Sequence, residues 1–216
     1  MKRLDYAKRK AWVHMLSPQE IQDKIMSIPN TEYRAVIALA FLTMSRISEI
    51  CVLKKKDVLP KQFYGSPGYA IIIGVEKRWG FAKVSPVFPE KLFPQLFKAV
   101  KPWLDKPADP EDWLFSDPGL YTYTRTYKKK DGQVITLTEV DNRKRKSISK
   151  YVRAYTGINP HLFRHARYNI CSYVYGFTEN LLQSAGAWTR AESMRDYKRY
   201  AIPEEIAFAI MRSKHD

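Results

Sequence analysis

The stretch Ala35–Met44 places the strongest constraint on how this chain can fold. It reads AVIALAFLTM, so a helix over these residues would be apolar on nearly every side. Such a helix belongs in the interior of a domain, because it presents no polar face to water. We therefore predict a central helix, opened by Thr31-Glu32, around which the rest of the chain packs.

Further helices are predicted by their start and stop signals. Ser17-Pro18-Gln19-Glu20 has the N-cap serine, first-turn proline and third-position glutamate of a capping box. An amphipathic pattern with Leu92, Phe93 and Leu96 on one side indicates a core-covering helix that bends near Pro94. The helices so predicted begin at Pro18, cover Pro89–Asp105 and Asn142–Tyr155, and begin again at Pro160, at Thr178-Glu179 and at Pro203.

Two groups of short strands are predicted by alternation and turn residues. The first group consists of Val58–Tyr64, Tyr69–Val75 and Ala82–Phe88, with turns at Gly65–Gly68 and Lys77–Gly80. The second is a β-hairpin within Leu120–Val140, where Tyr and Thr alternate on both sides of an Asp131-Gly132 turn. Trp113-Leu114-Phe115, between the groups, is expected to insert into the core. The predicted fold class is therefore α+β and predominantly helical, with a small antiparallel sheet and an additional β-hairpin.

Basic residues outnumber acidic ones by 37 to 22, which gives the 216 residues a net charge of +15. Such an excess favours a polyanionic partner, and double-stranded DNA or RNA first. The alternative is a basic protein whose charges are scattered for solubility. The length suits a single domain, and we expect residues 1–16 to be a basic arm or linker before one domain at residues 17–216.

Neither cysteine usage nor hydropathy predicts an extracellular or membrane protein. Cys51 and Cys171 lie in apolar helical segments, so a disulfide framework is not expected. No apolar run approaches the ~20 residues of a membrane span, and Met1–Lys10 lacks the apolar part of a signal peptide. We expect a cytoplasmic protein without membrane contact.

Two basic turns are candidates for DNA contact. The first, EKRWGFAK, carries Lys77, Arg78 and Lys83, although it could be no more than a solvated turn. The second hairpin has a basic tip and is followed by a basic helix, which suits contact with backbone phosphates. Its alternative is a hairpin edge protected from aggregation by lysines. The candidate DNA-binding residues are Arg78, Lys128, Lys129, Lys130, Arg143, Lys144 and Arg145.

Two arginines stand out as candidate phosphate ligands. Arg46 ends the buried helix, one turn before Glu49, where a guanidinium is costly unless it is paired or faces an anion. The alternative is an ordinary i, i+3 pair on a helix surface. Downstream, Arg164 shares one predicted helix with His161 and His165, and Tyr197 and Tyr200 follow in a basic segment.

These residue types match what attack on a phosphodiester requires. Two arginines neutralise the non-bridging oxygens with bidentate geometry. A tyrosine is a possible nucleophile, but only about one part in a thousand is ionised at pH 7, so nearby cations or a base must assist it. A lysine with a lowered pKa can protonate the leaving alkoxide. No cluster with metal-ligand spacing is apparent, so we expect neither a metal site nor a cofactor.

Four segments in order resemble the catalytic domain of tyrosine recombinases, the phage-integrase-type site-specific DNA recombinases. They are SRISEICVLKKKDV, IIIGVEKRWGFAKVSPV, HLFRH and AGAWTRAESMRDY, spanning Ile37 to about Ile210. Each segment is weakly specific, whereas four in this order with suitable gaps are strong.

The resemblance implies a role for each matching residue. Arg46 and Arg164 would bind the scissile phosphate, and Glu49 would fix the helix that bears Arg46. His161 would assist proton transfer, and Trp188 would pack the site and offer its indole N–H. Tyr197 would attack to give a 3′-phosphotyrosyl intermediate, so that no ATP is needed.

Two assignments remain open at this point. Lys77, directly after the second strand, fits the general acid best, and Lys83, just before the third strand, competes with it. Tyr197 lies at the family's usual interval after Trp188, and Tyr200 is the alternative nucleophile. His165 is expected to be a structural hydrogen-bonding residue rather than a catalyst.

The resemblance also implies partners and departures. Family members act as tetramers, with the C-terminal helix packed on a neighbouring protomer; the alternative is packing inside its own chain. We expect this sequence to lack the family's N-terminal core-binding domain, either as an isolated catalytic fragment or as an unusually small enzyme, and residues 119–146 look like an insertion. Two other functions remain possible, namely a type IB topoisomerase and a non-enzymatic basic DNA-binding domain.

Overall fold

A computed structural model describes residues 12–13, 15–75, 81–128, 132–187 and 210–211, without the side chain of residue 173. Among these residues it contains helices α1 to α8, strands β1 to β5, a 3₁₀ turn and a π-helical turn. The helices are α1 Pro18–Met26, α2 Thr31–Leu42, α3 Ile47–Cys51, α4 Pro94–Asp105, α5 Ser116–Gly119, α6 Asn142–Thr156, α7 Pro160–Asn169 and α8 Glu179–Gly186. The strands are β1 Val58–Phe63, β2 Ser66–Gly74, β3 Ala82–Val87, β4 Thr122–Lys128 and β5 Val134–Val140.

The first two helices begin where their caps predict. At α1, the Ser17 hydroxyl accepts from the backbone N–H of Glu20 at 3.2 Å, and the Glu20 carboxylate accepts from the Ser17 N–H at 2.7 Å. At α2, the Asn30 side chain accepts from the N–H of Tyr33 at 2.8 Å. These bonds satisfy backbone donors that have no partner inside the helix, and they confirm the predicted capping box.

Helix α2 forms the centre of the core, as its sequence predicts. Every side chain from Ala35 to Leu42 is buried. The helix packs against α1, α4 and α7. On its α4 side, the rings of Phe41 and Phe93 meet edge to face with centroids 4.9 Å apart.

The chain breaks between α2 and α3, which corrects the prediction that Arg46 ends the apolar helix. Helix α2 ends at Leu42, and Met44 has a positive φ of 50°. The Thr43 hydroxyl donates to the Leu39 carbonyl at 2.7 Å, and its oxygen lies 2.9 Å from the hydroxyl oxygen of Ser45. Such local side-chain bonds compete with helix continuation. Arg46 is instead the extended N-cap residue of α3.

The first three strands form an antiparallel sheet in the order β1-β2-β3, which confirms the predicted small sheet. Its central strand pairs Tyr69 with Val87 and Gly74 with Ala82 across β3. Ile71 and Ile73 of β2 are fully buried, so the sheet contributes to the same core as α2. The sheet with the helices confirms the mixed α and β class.

Strands β4 and β5 form the predicted additional hairpin, with Thr122 paired to Val140 and Lys128 to Val134. Most of its side chains are at least partly exposed on both faces, and only Val140 is buried. The hairpin is joined to the domain at its base, where the N–H of Asp141 donates to the Tyr121 carbonyl at 2.7 Å. It is therefore a largely exposed two-stranded ribbon that contacts α3 through β5.

Helix α4 corrects a second prediction. It begins at Pro94, so this proline occupies the first helical position instead of bending a longer helix. Proline fits there because a first-turn N–H has no helical acceptor and its φ is already helical. The buried face of α4 carries Leu96, Phe97 and Val100.

Helices α6 to α8 run consecutively toward the end of the described chain. Gly157, with φ of 72°, ends α6, and Asn159 caps α7 by accepting from the N–H of His161 at 3.0 Å. The π-helical turn Ile170–Val174 extends α7, and Thr178 caps α8. Ala187 follows α8 in the left-handed conformation.

Other parts of the described chain agree with the sequence. Leu114 and Phe115 are buried, as predicted, and the N–H of Leu114 donates to the Leu53 carbonyl at 2.9 Å. Cys51 and Cys171 are both buried free thiols, and burial raises the pKa of each to about 12. None of the helices within the described ranges is long and apolar enough to cross a membrane.

Candidate active site

Glu49 is a buried carboxylate at the start of α3, with 3% of its surface exposed. One oxygen, Oε2, accepts from the backbone N–H of Arg46 at 2.8 Å, and the other, Oε1, accepts from the Arg46 Nη1 at 2.7 Å. Burying a carboxylate is costly unless it is paired and hydrogen-bonded, and Arg46 provides both. The alternative for Arg46 and Glu49 was an ordinary i, i+3 pair on a helix surface. The structure differs from it, because the Glu49 carboxylate is buried.

Arg164 approaches the same carboxylate from α7. Its Nη1 lies 3.8 Å from Glu49 Oε2, and its Nη2 donates a short hydrogen bond to the carbonyl of Gly186 at the end of α8. Burial and the nearby Arg46 lower the pKa of Arg164 to about 10, and Glu49 opposes this shift. The guanidinium thus remains charged at neutral pH. Two arginines from distant parts of the sequence are brought together by one carboxylate.

Lys83 lies beside this group and is also buried. Its Nζ donates to the carbonyl of Thr43 at 2.6 Å and to the carbonyl of Ala185 at 2.7 Å. Burial, with the neighbouring Arg164 and Arg46, lowers its pKa to about 7, against an opposing effect of Glu49. Lys83 therefore joins β3 to the C-terminal ends of α2 and α8.

Helix α7 is held to the core by an ion pair that the sequence analysis missed. Arg167 donates from Nη1 and Nη2 to the two oxygens of Glu90, at 2.8 and 2.6 Å, and Tyr175 donates to the same carboxylate at 2.8 Å. The guanidinium also lies 5.4 Å from the ring centroid of Phe41 and 5.5 Å from that of Phe93. Only the three-residue spacing of Arg164 and Arg167 hinted that both lie toward one side of the helix.

His161 and His165 lie one turn apart on α7. Their rings meet edge to face, with centroids 4.8 Å apart. His161 is exposed, whereas His165 is half-buried beneath it. His161 is thus the more accessible of the two to a ligand.

Arg46 and His161 line one pocket of about 420 Å³, which we call the basic pocket. No carboxylate lines it, and three serine hydroxyls add polar donors. Its lining residues are Ser45, Arg46, Ile47, Ser48, Arg145, Lys146, Ser149, Asn159, Pro160 and His161. An anion is the ligand that this composition favours.

The predicted DNA-binding residues of the hairpin and α6 differ in their surroundings. Lys128 and Arg143 are exposed, and Arg145 lines the basic pocket while its Nη2 donates to the Asn142 side chain at 2.9 Å. The Nζ of Lys144 instead lies 2.7 Å from Oδ2 of Asp117, and the Lys144 side chain is only 13% exposed. The charge of Lys144 is therefore used largely within the protein.

Several predicted site residues lie outside the described part of the chain. These residues are Lys77, Arg78, Lys129, Lys130, Trp188, Tyr197 and the alternative nucleophile Tyr200. Two of these residues follow closely after described elements in the sequence. Lys77 comes three residues after the end of β2 at Gly74, and Trp188 comes two residues after the end of α8 at Gly186.

Two described residues, 210 and 211, belong to the C-terminal segment. Ile210 is 7% exposed and lies near Leu42, Phe177 and Ala185. At this one position, therefore, the side chain packs within its own chain. This agrees with the alternative prediction of packing inside the chain, rather than on a neighbouring protomer. Within the described ranges, no group of three or more His, Cys, Asp or Glu is placed to hold a metal ion.

Comparison with solved structures gives a structural likeness, whereas the comparisons by sequence do not. No family model matches the sequence, and no curated protein matches it. The fold is similar to that of a protein chain in the Flpe–Holliday junction complex, with a TM-score of 0.51 and 15% identity over 90% of this chain. This protein spans about half of that chain, 49% of its length. At this identity the likeness concerns the fold alone.

Proposed function

We propose that this protein breaks and rejoins DNA strands by the chemistry of tyrosine recombinases. The observation that carries the proposal is the convergence of Arg46 and Arg164 on the buried Glu49 beside the basic pocket. The fold likeness to a protein bound to a Holliday junction, a four-way DNA junction, supports DNA as the partner. The net charge of +15 agrees with a polyanionic partner.

In the proposed reaction, Arg46 and Arg164 bind the non-bridging oxygens of the scissile phosphate. Two guanidinium groups side by side repel each other, and the Glu49 carboxylate offsets that repulsion without facing the DNA. Their donors are then in place before the phosphate gains charge in the transition state. Glu49 acts as a positioning residue rather than a catalyst.

The nucleophile in this proposal is Tyr197, with Trp188 packed beside the phosphate. The phenolic oxygen forms a bond to phosphorus as the bond from phosphorus to the 5′ oxygen breaks. His161 assists removal of the phenol proton, and Lys77 donates a proton to the leaving 5′ oxygen. The 3′-phosphotyrosyl bond retains the energy of the phosphodiester, so a second 5′ hydroxyl can reverse the reaction without a cofactor.

Lys83 has a positioning role in this proposal, and Lys77 remains the acid. Two observations support this division. The Lys83 Nζ is buried and donates to two backbone carbonyls, and a neutral amine with its two N–H donors would keep both bonds. A group so enclosed cannot readily reach a leaving oxygen on DNA. It can, however, fix the end of α8 from which the chain continues to Trp188 and Tyr197.

The exposed hairpin β4–β5 is proposed to lie against the DNA. A two-stranded ribbon is of a size that enters the major groove, and Lys128 at its tip would contact backbone phosphates. Lys129 and Lys130, which follow Lys128 in the sequence, and Arg78 are proposed to add further phosphate contacts. Strand exchange would bring four protomers together on two DNA sites, and a neighbouring protomer would have to contact the C-terminal segment away from Ile210, which packs within its own chain.

The proposal is tested by trapping the covalent intermediate. The protein is incubated with nicked duplexes of randomised sequence, in which cleavage beside the nick releases a short 5′-hydroxyl fragment and prevents rejoining. We expect a protein–DNA adduct that survives denaturation, with mass spectrometry after nuclease digestion locating it on Tyr197. Sequencing of the captured duplexes would also report any preferred site.

Two variants serve as matched controls for the adduct. Tyr197→Phe should abolish it, and Tyr200→Phe should retain it. The reverse pattern would assign the nucleophile to Tyr200. DNA binding without any adduct would favour a non-enzymatic DNA-binding domain, and relaxation of any supercoiled plasmid without site preference would favour a type IB topoisomerase.

A further inference from the structure

The basic pocket contains more basic groups than one scissile phosphate requires. Arg46 and His161 line it, and so do Arg145 and Lys146 of α6. Arg145 was predicted from the sequence to be one of several general DNA contacts, whereas Lys146 was predicted for no site. Helix α6 directly follows the exposed hairpin, so these two residues come from a different part of the fold than the arginine pair.

The dimensions and lining also suit a ligand larger than one phosphate group. The pocket has a volume of about 420 Å³, within the range of roughly 300–1,000 Å³ typical of small-molecule sites. Ser149 lies one turn after Arg145 on α6, and Ser45 and Ser48 flank Arg46. The Ser149 hydroxyl therefore adds a polar group on the α6 side of the pocket, whereas the buried Ser45 hydroxyl already donates to the Thr43 carbonyl.

Electrostatics distinguish this pocket from the one next to it. A cavity of about 410 Å³ between α3, β2 and the hairpin shares Ser48 and Arg145 with the basic pocket. That neighbour is lined by three carboxylates, those of Glu49, Asp57 and Glu139, whereas the basic pocket has none. Of the two cavities, only the basic pocket has a lining that attracts a polyanion.

We infer that the basic pocket binds two successive backbone phosphates of one DNA strand. Arg46 binds the first, the scissile phosphate that Arg164 also binds in the proposed reaction, and Arg145 and Lys146, with Ser149, bind the second. The second phosphate does not react. This inference rests on the proposed function, and it adds a subsite that fixes which phosphodiester along the strand lies beside Arg46.

Isothermal titration calorimetry with two small probes tests the inference. Thymidine 5′-monophosphate offers one phosphate, and thymidine 3′,5′-bisphosphate offers two at the separation found along a strand. We expect the protein to bind the bisphosphate about ten-fold more tightly, as one additional charge-assisted contact would give. Amide chemical shifts of Ser45, Ser48 and Ser149 should change on addition of the bisphosphate.

Paired variants of α6 separate a specific subsite from general charge attraction. Arg145→Gln/Lys146→Gln should bring the ratio of the two affinities close to one. Arg143→Gln/Lys150→Gln removes the same charge from the same helix, but neither residue lines the pocket, so the ratio should stay near that of the parent. Lys146→Gln alone should lower the ratio, and it leaves the bond from Arg145 to Asn142 intact.

Two results would overturn the inference. One is a parent protein that binds both probes equally, and the other is an equal loss in the two double variants. The titration needs no strand cleavage, so its outcome is independent of the adduct experiment. An absent adduct with the expected affinity ratios would refute strand transfer and retain the two-phosphate site.

Discussion

Lys83 and Arg164 donate to consecutive carbonyls in the last turn of α8, Lys83 to Ala185 and Arg164 to Gly186. The last carbonyls of a helix accept no hydrogen bond from an N–H within the helix, so they need donors from elsewhere. Cations at this end also interact favourably with the helix dipole. The two residues come from β3 and α7. The end of α8 is therefore fixed by Lys83, which has a positioning role in the proposed reaction, and by Arg164, which is proposed to bind the scissile phosphate.

The pH dependence of stability should report Lys83. Its pKa is lowered from the ordinary 10.5 to about 7 in the folded protein, so between these values the unfolded chain binds more protons. The free energy of unfolding should therefore decrease as pH falls toward 7, and it should increase as pH rises from 7 toward 10.5. The free energy of unfolding should rise by at most about 1.4 kcal/mol per pH unit. Urea denaturation at pH 7, 8 and 9 measures it.

Lys83→Met is the comparison for this measurement. It preserves most of the side-chain volume and removes the titrating group, so the parent should gain stability relative to the variant between pH 7 and 9. Parallel curves for the two proteins would show that Lys83 does not titrate in this range.

Glu49→Gln should separate the buried ion pair from ordinary surface pairs. Removing the charge leaves Arg46 and Arg164 close together without a compensating carboxylate, and breaking a buried pair costs about 3 kcal/mol or more. We expect a lower free energy of unfolding in urea and weaker adduct formation. Glu111→Gln removes an exposed partner of Lys54 and Lys56 and should change stability little. Equal effects of the two substitutions would contradict the role of Glu49.

The assignment of the general acid can be tested with a sulfur leaving group. If the bridging 5′ oxygen is replaced by sulfur, the leaving group is a thiolate. Because a thiol has a much lower pKa than an alcohol, the thiolate departs without protonation by an acid. Lys77→Ala should therefore cleave the normal strand poorly and the sulfur-substituted strand almost as fast as the parent. The test uses a duplex recovered from the covalent-capture experiment.

Lys83→Met provides the other half of that experiment. If Lys83 only positions the end of α8, its replacement should slow cleavage of both substrates to a similar extent. Rescue of Lys83→Met, but not of Lys77→Ala, by the sulfur substitution would exchange the two roles.

Lys128 and Lys144 should differ in their contribution to DNA binding. Lys128 is exposed, so Lys128→Gln should reduce the slope of log affinity against log salt by about 0.9, the value for one phosphate contact. Lys144 is paired with Asp117, and its ammonium lies 4.5 Å from the ring centroid of Tyr121. Lys144→Gln should therefore lower Tm and leave the slope nearly unchanged. Fluorescence anisotropy over a salt series measures the slope, and equal slope changes would contradict the distinction.

Local signals in the sequence predicted much of the fold. The capping box at Ser17 and Glu20 involves residues three apart, and the hairpin β4–β5 pairs neighbouring segments. The break at Met44 was missed because it depends on hydroxyl bonds of Thr43 and on the Glu49 cap, while the apolar pattern alone continues the helix.

The site was less predictable, because its contacts join distant residues. Lys83 reaches Ala185 across 102 positions, and Arg167 reaches Glu90 across 77. No spacing rule identifies such partners in one sequence. The resemblance to a known family pointed to Arg46 and Arg164. It gave no reason to expect that Arg167 is buried or that Lys146 lines the basic pocket.

The ion pair of Arg167 with Glu90 has a consequence for how the site meets a ligand. Arg167 and Arg164 are three residues apart on α7, so their side chains diverge by only about 60° around the helix axis. The helix cannot roll without withdrawing a fully buried guanidinium from its carboxylate and three aromatic rings. The orientation of Arg164 is therefore set when the protein folds. The conformational entropy of that arginine is already lost in the folded protein, so binding of the proposed DNA does not incur this cost a second time.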